Sequence, residues 1–383
     1  MKYVTNRRQF LGAAVTAPAV LNHSVASGLA GSFQEQPHIE YRVLGNTGVK
    51  VSAVGFGCML TSDPSVIERA VEAGINFFDT ARGYQRGNNE RMVGAALKSV
   101  RDRVILCTKS GARDAAGLRE DLETSLRELD TDYLDVWYLH GRSSMSEITD
   151  ELLSVMEQAK RDGKIRFAGV STHSNQKQLL RELAKQPEID VVLAAYNFTM
   201  DEDMRAAVAE ARQAGKGIVA MKVMAGGFRR VREGNPLREK LQRPGALVAA
   251  LRWILHDRNV DTAIPSITDM QQLEENLGAM ARPFGPEDEQ LLAAQLEMIR
   301  PVYCRMCGAC DGRCPEGIPV AEVLRILTYA EGYGQFALAR ERYLELDDRV
   351  REGRCDLCPE CRIQCPNGVQ VAARLQRARE LLA

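Results

Sequence analysis

Several things are scarce in this chain, and each scarcity narrows what it can be. No apolar run approaches the roughly 18 residues of a spanning helix, so no membrane span is expected in the mature protein. Neither charge is in excess: 50 Lys and Arg stand against 51 Asp and Glu, a net charge of -1. The basic footprint of a nucleic-acid binder is therefore missing. No G-x-G-x-x-G phosphate loop follows the first strand-like run, where the sequence reads FGCML. Histidines number five in 383 residues. Cysteine is almost absent until residue 304: only Cys58 and Cys107 occur, each inside an apolar strand-like stretch that suits a core. The length leaves room for one large domain and a smaller one.

The other eight cysteines crowd the end of the chain. Cys304, Cys307, Cys310 and Cys314 precede Pro315, and Cys355, Cys358, Cys361 and Cys365 precede Pro366. Both runs read C-x2-C-x2-C-x3-C-P, a ferredoxin spacing in which three close thiolates grip three corners of an iron–sulfur cube. Disulfides would not require two identical runs each closed by proline. Zinc usually takes two pairs without a third and fourth member. The pattern predicts two [4Fe–4S] clusters. In two-cluster proteins the fourth cysteine of each run serves the other cluster. The expected sets are thus Cys304, Cys307, Cys310 and Cys365, and Cys355, Cys358, Cys361 and Cys314. The repeat continues into CPEGIPVAEVLR and CPNGVQVAARLQ, and Val320–Tyr329 and Phe336–Leu346 carry apolar residues at helical spacing. This tail resembles an α-helical ferredoxin. Its first helix is expected near Glu287, after the break at Pro283, Gly285 and Pro286.

The first thirty residues read as an address rather than as structure. Arg7 and Arg8 head a short apolar stretch from Phe10 to Leu21, followed by small residues. Asn-Arg-Arg-Gln-Phe-Leu resembles the twin-arginine export signal. That route carries proteins already folded, often with a cofactor inserted, which reconciles a cytoplasm-assembled cluster with a periplasmic or other extracytoplasmic destination.

Between Ile39 and Arg282, strand-like and helix-like runs alternate. VSAVGFG, INFFDT, RVILCTK, YLDVWYLH, IRFAGVST, VVLAAYN, GIVAMKV and VDTAIP are separated by helical patterns such as SVIERAVEAG and MRAAVAEARQAG. Eight β–α units over this length predict an α/β fold, a (β/α)8 TIM barrel, with a doubly wound sheet as the alternative. YRVLGNTGVKV reads as a hairpin turning at Asn46-Thr47-Gly48 and plugging the barrel floor. The expected domains are 1–30 as signal, 38–283 as barrel and 284–383 as the helical iron–sulfur segment.

Barrel chemistry sits at the carboxyl ends of strands. Those ends carry Asp79, Lys109 and His140, with Tyr84 five residues beyond Asp79. Singly, each has a structural explanation: a helix cap, a half-buried loop tyrosine, a hydrogen-bonding histidine. Together they draw attention. YRVLGNTGVKVSAVGFGCM, FFDTARGY, ILCTKSG, DYLDVWYLHG and GKIRFAGVST resemble the aldo/keto reductase signature set, in order, over nearly all of residues 40–282. The resemblance implies a catalytic tetrad of Tyr84, Asp79, Lys109 and His140, acting on a small-molecule carbonyl or alcohol. Hydride reduction of a carbonyl builds negative charge on oxygen, so a proton donor must stand beside it. A phenol with pKa about 10 holds its proton tightly, and Lys109 is expected to pull that pKa down. Asp79 would keep Lys109 charged and aimed, and His140 would orient the substrate oxygen.

The resemblance also implies NAD(P), with departures. Where the family holds the nicotinamide amide with Ser-Asn and Gln, this chain has Ser171, Thr172 and Leu193. Met221, beside Lys222, stands where an aromatic usually stacks. Ser266 and Gln272 replace the basic residues that meet a 2′-phosphate, while Glu275 and Asn276 keep the adenine-side pattern. Lys222 is placed to meet an anionic substrate or cofactor group, or else pairs with an acidic neighbour. Ser143-Ser144-Met145 is expected near the substrate mouth; His173 and His256 receive no role.

Nicotinamide moves two electrons as hydride and iron–sulfur clusters move one, and no flavin motif is present to join them. The clusters therefore either exchange electrons with a redox partner protein or clamp the helical tail structurally. An exported enzyme of this kind would carry its dinucleotide tightly bound. The competing readings are an iron–sulfur electron-transfer module, or a sugar- or polyol-binding protein, on a catalytically relict barrel.

Overall fold

Each strand-like run of the sequence becomes a strand. In the computed structural model the described residues are 39–227, 245–351, 355, 358 and 361–383; the expected export signal lies outside them. A hairpin of β1 (Tyr41–Val43) and β2 (Lys50–Ser52) comes first. Eight strands follow: β3 (Phe56–Gly57), β4 (Phe77–Asp79), β5 (Ile105–Ser110), β6 (Leu134–Leu139), β7 (Ile165–Thr172), β8 (Val191–Ala195), β9 (Gly217–Met221) and β10 (Thr262–Ala263). They pair in parallel in chain order from β3 to β10. Parallel bridges Val54↔Ala263 and Gly57↔Ser266 join the two ends. Consecutive order with the ends joined makes a (β/α)8 barrel and not a doubly wound sheet.

β5, β6 and β8 are buried along their whole length, as strands covered on both faces must be. Phe77, Cys107, Val136, Tyr138 and Leu193 fill the interior, and Leu44, Val49 and Val51 of the hairpin join that cluster from below. The plug is pinned by backbone: Gly45 N–H donates to Asp261 Oδ2 at 3.0 Å, and Asn46 N–H to the Gly215 carbonyl at 2.9 Å.

The outer helices start where the sequence supplies caps. Asp63, Asp114, Thr149, Asp201 and Asp269 each accept a hydrogen bond from a first-turn N–H of α1 (Pro64–Glu72), α3 (Ala115–Glu128), α4 (Asp150–Arg161), α6 (Glu202–Gln213) and α8 (Met270–Gly278) respectively. α2 (Asn88–Leu97), α5 (Gln176–Leu183) and α7 (Ala246–His256) complete the ring.

Beyond the barrel the described chain is helical: α9 (Pro286–Ile299), α10 (Val320–Glu331), α11 (Phe336–Leu344), α12 (Asp348–Arg351) and α13 (Val371–Leu382). α9 begins at the expected proline break. Val323, Leu327, Tyr343, Leu375 and Leu382 belong to a core of the segment's own. Glu331 pairs with Arg374 at 2.6 Å and Arg377 at 3.0 Å. The segment is also seated on the barrel. Ile299, Val302 and Tyr303 pack with Ala225 and Phe198, and the Tyr303 hydroxyl accepts from Asn197 Nδ2 at 3.2 Å. At Gly332 the end of α10 lies so close to the loop after β9 that a Cβ there would collide with the Gly226 carbonyl. No described helix is long and apolar enough to cross a membrane.

Candidate active site

The carboxyl ends of the strands open into a cavity of about 1200 Å³. Asp79 ends β4 and Lys109 lies near the end of β5, so adjacent strands bring their side chains together. Lys109 Nζ donates to Asp79 Oδ1, to the Thr80 carbonyl at 2.6 Å and to the Tyr84 hydroxyl at 3.4 Å. The His140 ring meets Tyr84 edge-on with centroids 5.9 Å apart. Asp79, Tyr84 and His140 line the cavity, while Lys109 stands behind them at 1% exposure. Asp79, Lys109 and His140 at the strand ends and Tyr84 in the loop beyond Asp79 thus converge.

The loop that carries Tyr84 is held from several sides. Gln85 and Arg86 adopt left-handed backbone (φ 48° and 55°), an unusual conformation for such residues that surrounding contacts must sustain. Gln85 Nε2 donates to the Thr61 carbonyl at 2.7 Å, and Thr80 Oγ1 to Asn89 at 2.6 Å. Glu90, fully buried, accepts from Thr108 at 2.6 Å and Ser125 at 2.8 Å and pairs with Arg82. α11 reaches the same loop: Arg86 Nε pairs with Glu341 at 2.8 Å, and Arg342 donates to the Gly83 carbonyl at 3.4 Å.

Electrostatics at the site run against one expectation. Burial lifts the Tyr84 pKa, Asp79 and Tyr329 add to the rise, and the opposing pull of Lys109 does not overcome them. The phenol is therefore held protonated rather than acidified. For Lys109, burial alone would lower the pKa, but the Asp79 charge and then Tyr84 outweigh it, and the ammonium is held above its ordinary range. His140 is pushed down to about 3, by burial first and then by Lys109, Arg325, Arg142 and Arg342. It remains a neutral imidazole.

The expected dinucleotide residues divide into two groups. Ser171 and Thr172 do not line the cavity: Ser171 Oγ accepts from Gly141 N–H at 2.9 Å, and Thr172 Oγ1 donates to the Ser174 carbonyl at 3.0 Å. Leu193 is part of the barrel core. Met221, Lys222, Ser266 and Gln272 do line the cavity. Asn276 is 1% exposed, with both amide atoms lacking a partner among the described residues, and Glu275 accepts from Gln271 at 3.0 Å. An amide left unsatisfied in this way suits a heterocycle that both donates and accepts. Of the adenosine-side residues Ser266 and Gln272 face the cavity while Glu275 and Asn276 do not, and neither Ser171 nor Thr172 faces it. Ser143 and its hydroxyl both donate to Glu147, and Ser143, Ser144 and Met145 do not line the cavity. His256 lies away from the cavity, against Phe284.

Sequence reading missed several cavity residues. His173 lines the wall with a buried Nδ1 that has no partner among the described residues. Arg325, Tyr329 and Tyr333 arrive from α10 and the turn after it. Their i, i+4, i+8 spacing was legible as one helical face, but nothing local told that face from an ordinary core stripe.

Among the described residues, no three His, Cys, Asp or Glu side chains are drawn together on a single metal ion. The thiols are instead spread around a space. Cys304, Cys307 and Cys310 of the first run and Cys365 of the second line one cavity beside Val320 and Leu324. None of these four is in a disulfide. Met306 N–H donates to Cys304 Sγ at 3.3 Å and Asn367 Nδ2 to Cys307 Sγ at 3.4 Å. These four are the thiols of one of the two sets expected from the spacing. Residues 352–354, 356–357 and 359–360, around Cys355 and Cys358, lie outside the described residues.

Residues 63–247 match the aldo/keto reductase family. Over 174 residues the chain is 33% identical to the uncharacterised oxidoreductase YqkF of Bacillus subtilis, covering 41% of this chain and 56% of that protein. It is 28% identical to L-galactose dehydrogenase of Arabidopsis thaliana over 301 residues, covering 68% of this chain and 94% of the relative. Among solved structures, the aldo-keto reductase AKR11C1 of Bacillus halodurans in its holo form is 30% identical. That match covers 67% of this chain and 96% of the other, with a TM-score of 0.59.

Proposed function

Because this chain belongs to the aldo/keto reductase family and is an oxidoreductase, we propose that it interconverts a carbonyl and an alcohol by hydride transfer, with Tyr84, Lys109, Asp79 and His140 as its catalytic tetrad. The observation that supports this reading most directly is the position of Lys109. One buried ammonium bonds at once to a carboxylate and to a phenol that opens on a large cavity beside a neutral imidazole. His140 donates a hydrogen bond to the carbonyl oxygen and fixes its approach. Tyr84 passes its proton to that oxygen as negative charge develops there, and Lys109 stabilises the phenolate left behind. Asp79 keeps the ammonium charged and aimed. A nicotinamide, when bound, supplies or takes up the hydride; Ser266, Glu275 and Asn276 would hold its adenosine side.

The reading extends to the tail. Cys304, Cys307, Cys310 and Cys365 would hold one [4Fe–4S] cluster, and Cys355, Cys358, Cys361 and Cys314 the other. Such clusters supply single-electron transfer or a structural clamp. With Arg7 and Arg8 directing export by the twin-arginine route, the protein would reach the periplasm folded, its dinucleotide already inside.

The test of the tetrad is Tyr84→Phe. The variant should fold normally and lose about 10³-fold in kcat for carbonyl reduction, the order attributed to a positioned proton donor. Retention of full turnover would remove the assignment. Export is tested by Arg7→Lys with Arg8→Lys, which should leave the full-length chain in the cytoplasmic fraction.

A further inference from the structure

The cavity over Tyr84 has walls of two origins. Barrel loops form one side, and α10 with α11 forms the other. On α10, Glu322, Arg325 and Tyr329 share the face turned into the cavity. Arg325 donates to Glu322 with Nε at 2.7 Å and also with Nη2, and to the Tyr329 hydroxyl with Nη1. Its Cζ lies 5.2 Å from the centre of the Tyr329 ring. From the opposite wall, Lys222 Nζ lies 5.5 Å from the same ring.

Lys222 is held there at some cost. Its φ of 54° is left-handed, an unusual state for lysine. Its carbonyl is fixed by Asn197 Nδ2 at 3.0 Å and Ala225 N–H at 3.1 Å. The arginines around the cavity carry carboxylate partners: Arg82 with Glu90, Arg86 with Glu341, Arg113 with Glu147, Arg325 with Glu322 and Arg342 with Glu345. Among the described residues Lys222 has none. Arg325, 14% exposed, is paired with Glu322, whose carboxylate also faces the cavity, so of the two cations flanking the Tyr329 phenol the Lys222 ammonium is the one left without a carboxylate, and the cluster holds one more cation than carboxylate.

We propose that Lys222, Arg325 and Tyr329 form an oxyanion subsite facing Tyr84, and that the substrate is a carbonyl or hydroxy compound bearing a carboxylate. The subsite's field reaches the reacting end of the cavity. Arg325 is among the charges that hold His140 and His173 neutral, Lys222 also acts on His173, and Tyr329 acts on Tyr84. Of the adenosine-side residues, Ser266 lines the cavity from the segment that follows β10, whereas Asn276 of α8 does not line it. A carboxylate from the substrate and a phosphate from the dinucleotide share the same recognition chemistry, so the test separates them.

The inference takes the Tyr84 cavity as the substrate site, but its test is of binding and does not need turnover. The full-length, cluster-loaded protein is titrated calorimetrically with benzyl alcohol and with 3- and 4-carboxybenzyl alcohol, the two acids spanning different distances. The wild type should bind at least one acid about tenfold more tightly than the neutral alcohol, and Lys222→Met and Arg325→Met should each remove most of that preference. Should Arg325→Met not fold, the Lys222→Met titration decides alone. Equal binding of acid and alcohol by the wild type would overturn the proposal. So would a preference that survives both substitutions, or a loss of NADPH affinity with the acid preference unchanged, which would assign these cations to the cofactor. Tyr84→Phe should keep the acid preference. A Tyr84→Phe enzyme with normal turnover would sink the tetrad while leaving this subsite standing.

Discussion

At Tyr84, two forces of opposite sign meet and burial wins. An ammonium 3.4 Å away favours the phenolate, yet the phenol is desolvated and also feels Asp79 and Tyr329, so its pKa rises above 10. The sign fixes a pH dependence. Under the proposed mechanism Tyr84 must be protonated in the reducing direction, and it loses its proton only above its raised pKa. His140 must be neutral, and it gains a proton only near its lowered pKa of about 3. Between about pH 5 and about pH 9, kcat/KM for carbonyl reduction should therefore be flat as far as these two groups are concerned. An alkaline limb near neutrality that vanishes in Tyr84→Phe would mean that Lys109 prevails. Asp79, Lys109 and His140 were legible because each sits at or near the end of a strand whose pattern is local, and Tyr84 because it follows Asp79 by five residues. The direction of the phenol's shift was not, because it sums desolvation and charges from segments distant in sequence.

At the scale of elements, short polar residues begin the helices and one carboxylate joins the two halves of the chain. Asp288, 3% exposed in the first turn of α9, pairs with Arg282 at 2.6 Å and Arg252 of α7 at 3.2 Å. It also accepts from Gly285 N–H at 3.1 Å. Asp288→Ala should cost about 2 kcal/mol in chemical denaturation, less than for a fully buried pair because Arg282 is 43% exposed. Gly332→Ala addresses the other seam. Its methyl would press on the Gly226 carbonyl, and overpacking there should cost about 2 kcal/mol and move α10 relative to the loop bearing Lys222. If both variants melt like wild type, these seams do not hold the tail to the barrel. α9 to α11 were readable from their period and the proline break. Their seat over the cavity was not, since it depends on one close backbone approach and on Tyr303 reaching Asn197.

For the whole molecule, the tail that gathers four thiols also supplies one wall of the cavity above Tyr84. Anaerobically purified protein should contain about eight irons and eight sulfides per chain. Cys365→Ser should reduce iron to about half, since it removes a ligand from the set with Cys304, Cys307 and Cys310 and leaves the other set whole. Iron unchanged in that variant would dissolve the cross-run pairing, and iron absent from the wild type would remove the clusters altogether.

The order of units, the barrel, the helical tail and the repeated thiol spacing could all be read from the chain alone. These features arise between near neighbours: side chains alternate along a strand, recur each turn of a helix, or sit a fixed few residues apart. Which of the expected residues face the cavity, whether a phenol is acidified or kept neutral, and which helix faces Tyr84 were decided only by the tertiary structure. Burial and electrostatic fields add over groups that folding alone brings together, and in this protein those groups lie as far apart in the chain as Tyr84, Lys222 and Arg325.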